Sequence, residues 1–338
     1  MRTSVRALAA IAAAALLNLT PGIAHADPVT PAAGCRDISF PVAQGTLATT
    51  LCLPPGGTAD TVMVLMSGSN YNGTYWDFSY QPEIYNFRKA MNAAGYATLV
   101  ADRLGNGASS RPLSLSLTAT GTSEALHGIV QALRAGYGGG AGFEKVVTAG
   151  HSLTSSTSVM EASTYHDVDG VLLTGYSHTL SIPDVLGVIS SYYPAVADPV
   201  FAGRGVDSGY LTTRPGARQF AFYGDGDFDP AVLATDEATK ETFSLSEYPD
   251  GLLATLPGQS AEINVPIMLA VGSKDRLSCG PNYAICADSA TLYAAEAQYY
   301  APAARFRAFV LPGSGHSVNL ALNTRDYQTA VIDWMKTI

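Results

Sequence analysis

Six short apolar runs alternate with amphipathic stretches along most of this chain, and that rhythm constrains the fold more than any other feature. Residues 61–66 (TVMVLM), 97–101, 145–149, 168–174, 266–271 and 305–311 read as strands. Between them, 81–94, 122–134, 153–165, 287–299 and 324–336 carry helical periodicity. Continuously apolar strands separated by helices imply an α/β fold, a mostly parallel sheet covered by helices on both faces. Residues 36–54, with a turn at Gly45, read as an antiparallel hairpin at the sheet edge. The alternation stops between 178 and 262, a stretch rich in Tyr, Pro, Gly and Asp. An excursion of that length is rarely structureless. It predicts a separate helical cap, with 182–190, 230–241 and 244–253 as helices, inserted into a core made of 27–177 and 263–338. The GYGGGAG run at 136–142 reads as a connector and lacks the lysine of a phosphate loop.

Arg2 and Arg6 precede an apolar stretch and an Ala24-His25-Ala26 exit, the order of a secretory signal peptide over residues 1–26. The expectation is an exported protein with no membrane segment after the signal is removed. A lipid-bearing Cys35 is the weaker reading. The net charge is −9, with 14% charged residues and no basic cluster. That balance argues against nucleic-acid or anionic-membrane partners. Four cysteines in an exported chain suggest two disulfides. Of the three pairings, Cys35 with Cys52 and Cys279 with Cys286 are favoured. The second would fix the loop that follows Asp275. Neither spacing is C-x-x-C and no histidine lies close by, so no metal site and no cofactor are expected.

The run KVVTAGHSLT at 145–154 delivers Ser152 from an apolar strand onto a turn before a helix. A serine hydroxyl is a weak nucleophile. It needs exposure on a tight turn, a nearby base and N–H groups to receive negative charge. Gly150 removes a side chain that would clash there, whereas Thr154 stands where G-x-S-x-G would place its second glycine, which predicts a helix packed slightly farther from the strand. An acid and a histidine follow in the required order. Asp275 lies in GSKD, just past one predicted strand, and His316 in LPGSGHSV, just past another. Open α/β sheets form their sites at such carboxyl ends.

With these residues in place, the chain resembles the α/β-hydrolase superfamily over nearly its whole mature length. Ser67-Gly68-Ser69 occupies the position of that family's His-Gly oxyanion loop, and Asp102-Arg103-Leu104-Gly105-Asn106-Gly107 is similar to its D-R-x-G-x-G turn. Ser67 stands in place of the histidine that normally organises the loop. The resemblance implies Ser152 as nucleophile, His316 as base and Asp275 as its orienting acid. It also implies that backbone N–H groups of Ser69 and Leu153 form the oxyanion hole, with Asn70 a further polar group there. His151, in the elbow, and His178, beside Tyr176, are expected at the pocket wall. His127 and His166 fall in or beside predicted helices and receive no role. Asp102 reads as a structural carboxylate. Asp225, Asp227 and Asp229 suggest a calcium loop, but Pro230 occupies the place of the required glycine, so Asp229 reads as a helix cap.

The leading expectation is a secreted serine hydrolase acting on a carboxylic ester, lactone or other acyl compound. The tyrosines and phenylalanines at 192, 193, 210, 220, 222 and 223 suggest a covered apolar pocket for a small-molecule substrate. They serve equally as the cap's own core. One alternative is an aminopeptidase or amidase, in which cap carboxylates among Asp236, Glu237, Glu241 and Glu247 hold an ammonium. Another is a non-catalytic ligand-binding protein of the same fold. Oligomeric state is not legible.

Overall fold

The computed structural model describes residues 34–136 and 140–338. The signal-peptide reading of 1–26 lies outside the described residues, as do 137–139 of the glycine-rich connector. The chain opens with a hairpin, β1 (Cys35–Val42) and β2 (Gly45–Cys52), followed by β3 (Thr61–Met66), short helices α1 (Pro82–Tyr85) and α2 (Phe87–Ala93), and β4 (Ala97–Ala101). Helix α3 (Ala119–Arg134), β5 (Lys145–His151), α4 (Leu153–Tyr165) and β6 (Gly170–Thr174) complete the first half. Then come α5 (Ile182–Ser190), β7 (Tyr192–Pro194), β8 (Tyr210–Thr213), α6 (Pro230–Ala238), β9 (Phe243–Ser244) and α7 (Tyr248–Leu253). The chain returns through β10 (Ile267–Gly272), α8 (Ser289–Glu296), β11 (Arg307–Leu311) and α9 (Thr324–Met335).

The main sheet has eight strands in the order β1-β2-β4-β3-β5-β6-β10-β11. It is parallel from β4 to β11 and antiparallel where the hairpin joins. Strand periodicity divides the core into two layers. Val62, Val64, Val171, Leu173, Ile267 and Leu269 face one layer with α3, α4 and α8. Met63, Leu65, Leu172, Met268 and Ala270 face the other with α2 and α9. Both faces are dry, so the strands read as unbroken apolar runs. Because β3, β4, β5, β10 and β11 run the same way, the turns that follow them gather at one edge of the sheet.

Two expectations are corrected. The single helix expected over 81–94 breaks at Asn86 (φ −91°, ψ 97°), whose side chain accepts the Lys89 N–H at 2.8 Å and donates to the Phe78 carbonyl. A short polar side chain offers the backbone an alternative to helix there. The excursion is likewise not wholly helical: β7, β8 and β9 form a three-stranded antiparallel sheet. These strands are two to four residues long, too short for a period of two to register. Nor does the excursion separate from the core, because the described residues form one compact unit. Asp229 caps α6 through the Ala231 N–H, with Pro230 at the first helical position.

Cys35 is bonded to Cys52 and Cys279 to Cys286. The first bridge joins register partners of the hairpin and commits the Cys35 sulfur, which removes the lipid-bearing reading. The second closes a loop that begins four residues after Asp275, and the Cys279 N–H donates to the Asp275 carbonyl at 3.1 Å. No described helix is long and apolar enough to cross a membrane. Replacing Cys279 and Cys286 together by alanine is expected to lower the unfolding free energy by about 2–3 kcal/mol, checked by urea titration. An unchanged midpoint would mean that the bridge does not restrain this loop.

Candidate active site

Ser152 follows β5 directly and sits at φ 56°, ψ −119°, a conformation that costs a non-glycine residue about 1–3 kcal/mol. Its neighbours hold it there. The Ser152 N–H donates to the Thr174 carbonyl of β6 at 2.8 Å, and its carbonyl receives the Ser155 N–H at 2.9 Å. A Cβ on Gly150 would stand 2.3 Å from the Thr154 carbonyl, so only glycine allows α4 to turn back so closely. Thr154 is fully buried. Its hydroxyl accepts the His151 N–H at 2.9 Å and donates to the Met66 carbonyl at 2.7 Å, pinning the elbow to the end of β3. The hydroxyl is thus a tie between elbow and sheet where the sequence suggested only a looser helix.

Asp275 and His316 leave the ends of β10 and β11. His316 Nδ1 lies 2.9 and 3.0 Å from the two Asp275 oxygens, and both residues are buried. Asp275 also accepts the N–H groups of Leu277 and Ser278, which fix the carboxylate against rotation. His316 Nε2 has no partner among the described residues, and His316 lines the same cavity as Ser152. Gly175, at φ 58°, makes room for the ring: a Cβ there would lie 2.8 Å from His316 Cε1. The sequence reading passed over this glycine.

The loop after β3 approaches the elbow from the other side. Gly68 permits this, since a Cβ on it would meet Ser152 Cβ at 2.9 Å. The Ser69 and Leu153 N–H groups find no acceptor among the described residues. In place of a histidine, three hydrogen bonds from two side chains brace the loop. Ser67 Oγ donates to the Asn72 carbonyl, and Arg103 donates to the carbonyls of Ser67 and Gly68. Arg103 is itself paired with Glu247 from the cap, both side chains 2% exposed. Removing one partner of such a buried pair typically costs about 3–5 kcal/mol. Asp102 accepts the N–H groups of Gly73 and Ala108, the structural role expected of it.

A cavity of about 630 Å³, its mouth included, is lined by Ser69, Ser152, Leu153 and His316. Leu180, Val185 and Val188 beside and on α5, with Tyr192, Phe222, Tyr248, Leu252 and Leu277, make the rest largely apolar. The Tyr248 hydroxyl reaches to 3.3 Å from that of Ser69. Of the cap aromatics, Tyr192 and Phe222 face this space. Tyr210 and Tyr223 belong to the packed interior, and Tyr193 donates to Asp198.

Asn70, expected near the oxyanion hole, and His151 and His178, expected at the pocket wall, are not among the residues that line the cavity. Asn70 is fully buried, its amide donating to the carbonyls of Leu211 and Glu241, so it ties the loop to the cap. The His178 ring is held between Glu296 at 2.7 Å and Ser260 at 2.9 Å. His151 stacks on Tyr75, with its Nδ1 3.2 Å from the hydroxyls of Tyr75 and Thr174. In each case a buried polar group found partners inside the protein, a demand that chain position alone does not reveal.

The model of the alpha/beta hydrolase family matches residues 63–327, and the chain belongs to that family. Among solved structures, it is similar to the carboxylesterase CesB of Bacillus subtilis, with 15% identity and a TM-score of 0.58 over 89% of this chain and 91% of that one. It is similar to a soluble variant of monoglyceride lipase from Saccharomyces cerevisiae, with 14% identity and a TM-score of 0.62 over 89% and 94% of the two chains. The enol-lactonase from Burkholderia xenovorans LB400 shares 17% identity at a TM-score of 0.56, over 88% of this chain and all of that one. No curated protein matches by sequence.

Burial, with His316 and Arg218 as further charges, holds the His151 imidazole well below its ordinary pKa. The unfolded chain protonates this histidine near pH 6.5, while the folded chain keeps it neutral. Stability from this group is therefore present above about pH 6.5 and lost as pH falls below it, approaching about 1.4 kcal/mol per pH unit. His151→Asn, compared with the wild type by urea unfolding between pH 7.5 and 5, is expected to show a shallower loss. Equal slopes would contradict a neutral His151.

Proposed function

We propose that this protein is a secreted serine hydrolase that cleaves carboxylic esters, including lactones and related acyl compounds, through Ser152, His316 and Asp275. One observation carries the reading: a strained serine, an imidazole with a free Nε2 and a buried carboxylate on its Nδ1 meet around one apolar cavity. Esterase- and lipase-like structures among the similar folds support the same class. As Ser152 Oγ attacks the acyl carbon, His316 Nε2 takes its proton, and Asp275 stabilises the imidazolium. The tetrahedral oxyanion receives the N–H groups of Leu153 and Ser69, each donor contributing about 2.7–4 kcal/mol to the transition state. Collapse breaks the bond to the alcohol, which leaves with the proton from His316. Water then attacks the acyl-enzyme, His316 takes its proton and returns it to Ser152, and the carboxylic acid departs.

Two observations favour acyl compounds over aminoacyl ones. The wall of the cavity is apolar, and none of the cap carboxylates lines it. Asp236 is paired with Arg218, Glu241 with Arg204, Glu247 with Arg103, and Glu237 lies 3.6 Å from Lys240. No carboxylate of that set is left to hold an ammonium. Two disulfides support an oxidising compartment, and with the N-terminal segment they carry the proposal of export.

The test is a panel of aryl esters of increasing acyl length beside aminoacyl anilides. Wild type is expected to hydrolyse the esters and spare the anilides. Ser152→Ala and His316→Ala should each lower kcat by about 10³-fold or more, with little change in KM. Anilide hydrolysis at a comparable kcat/KM would overturn the ester assignment, and full activity in Ser152→Ala would overturn the nucleophile.

A further inference from the structure

Near the C-terminal end of α4, three side chains from two helices and the turn after α4 converge. His127 of α3, Glu161 of α4 and Asp167 each offer one ligand atom, and these atoms lie within 4.8 Å of one another. His127 Nδ1 is 2.8 Å from Asp167 Oδ2, which also receives the Gln131 amide. Glu161 is the anomaly. It is 0% exposed, yet among the described residues neither of its oxygens has a donor, and Asp167 Oδ1 also lacks one. Arg134, on the same helix as His127, is committed to the carbonyls of Asp167 and Glu144 and to Asp169. An ionised carboxylate buried without a donor is strongly disfavoured, so Glu161 either keeps a proton or faces a cation from outside the protein.

We propose that His127, Glu161 and Asp167 bind a divalent transition-metal ion, Zn²⁺ fitting best, which clamps α3 to the end of α4. One imidazole nitrogen and two carboxylates suit Zn²⁺, whereas Ca²⁺ and Mg²⁺ favour all-oxygen sets. His127 stacks on Tyr165 with ring centres 3.8 Å apart, which fixes the plane of the imidazole before any ion arrives. The His127 and Asp167 side chains are 32% and 15% exposed, giving the ion a way in and leaving positions for water. Metal bonds of about 2.0–2.2 Å put ligand atoms roughly 3–3.5 Å apart, so the His127–Asp167 pair, now at 2.8 Å, opens slightly and Glu161 closes toward it on binding. The ion would take the Nδ1 lone pair of a neutral imidazole whose hydrogen sits on Nε2, and any proton held between His127 and Asp167 would leave to solvent. Glu161 lies about 13 Å along the axis of α4 from Ser152 at 1.5 Å per residue. The ion would thus hold the scaffold of the elbow and take no part in the acyl chemistry.

The untagged full-length chain, stripped with EDTA and dialysed, is titrated with ZnCl₂, MnCl₂ and CaCl₂ by calorimetry, with thermal unfolding followed in parallel. The expected result is one Zn²⁺ per chain, a raised Tm and weaker or no Ca²⁺ binding. Glu161→Gln, Asp167→Asn and His127→Ala should each weaken Zn²⁺ binding at least ~10-fold. Glu161→Gln should be no less stable than the metal-free wild type, because it removes the uncompensated carboxylate. Absence of stoichiometric Zn²⁺ uptake by the wild type overturns the proposal and leaves a proton shared by the two carboxylates. Tighter binding of Ca²⁺ than Zn²⁺ also overturns it. So does uptake unchanged in Glu161→Gln or, should that variant not fold, in Asp167→Asn.

Discussion

The left-handed turn at Ser152 is the constraint on which the rest of the site depends. A serine does not adopt φ 56°, ψ −119° unless its surroundings leave no alternative. Here β5 enters from the centre of the sheet, α4 leaves at once, and the main chain of Ser152 is bonded to β6. Gly150 removes the atom that would force strand and helix apart. The Thr154 hydroxyl then joins the elbow to β3. Packing of two apolar layers against the sheet stabilises the strain, and the strain in turn keeps the hydroxyl exposed at the sheet's edge.

The same edge receives the ends of β3, β10 and β11, so groups remote in sequence meet without long excursions. Their electrostatics are arranged before any ligand arrives. Asp275 is held by two backbone N–H groups, His316 is held by Asp275, and burial keeps the adjacent His151 neutral. The cap contributes more than a cover. Through Glu247 it orients Arg103, and through Arg103 it sets the carbonyls of the loop that carries the Ser69 N–H. Asn70 and Arg218 add further ties between that loop and the cap. Opening the cap therefore disturbs the proposed oxyanion hole as well as the pocket entrance.

The central sheet was legible because burial on both faces leaves its strands as unbroken apolar runs. Residues 61–66, 97–101 and 153–165 have the bounds their patterns suggest. Ser152, Asp275 and His316 were legible for a related reason: Ser152 directly follows such a strand, Asp275 and His316 lie three and five residues past the ends of two others, and the topology brings the three to one place. The cap was harder to read. Its strands are too short to carry a period, and its polar residues answer to partners far along the chain. His178 is the clearest case, since Glu296 and Ser260 claim it from segments the sequence gives no reason to join. Glu247 did leave a trace. Ser244 and Glu247 form a capping box visible as S-x-x-E, although its pairing with Arg103 across the cap boundary is not visible.

In the proposed mechanism one hydroxyl, on one strained residue, is chemically unlike every other serine in this protein. Incubation of the folded wild type with a fluorophosphonate, followed by intact mass and peptide mapping, measures this directly. The account predicts one adduct per chain, on the peptide containing Ser152, formed rapidly at neutral pH and absent after unfolding in urea. An adduct on another residue, or none on the folded protein, would contradict it.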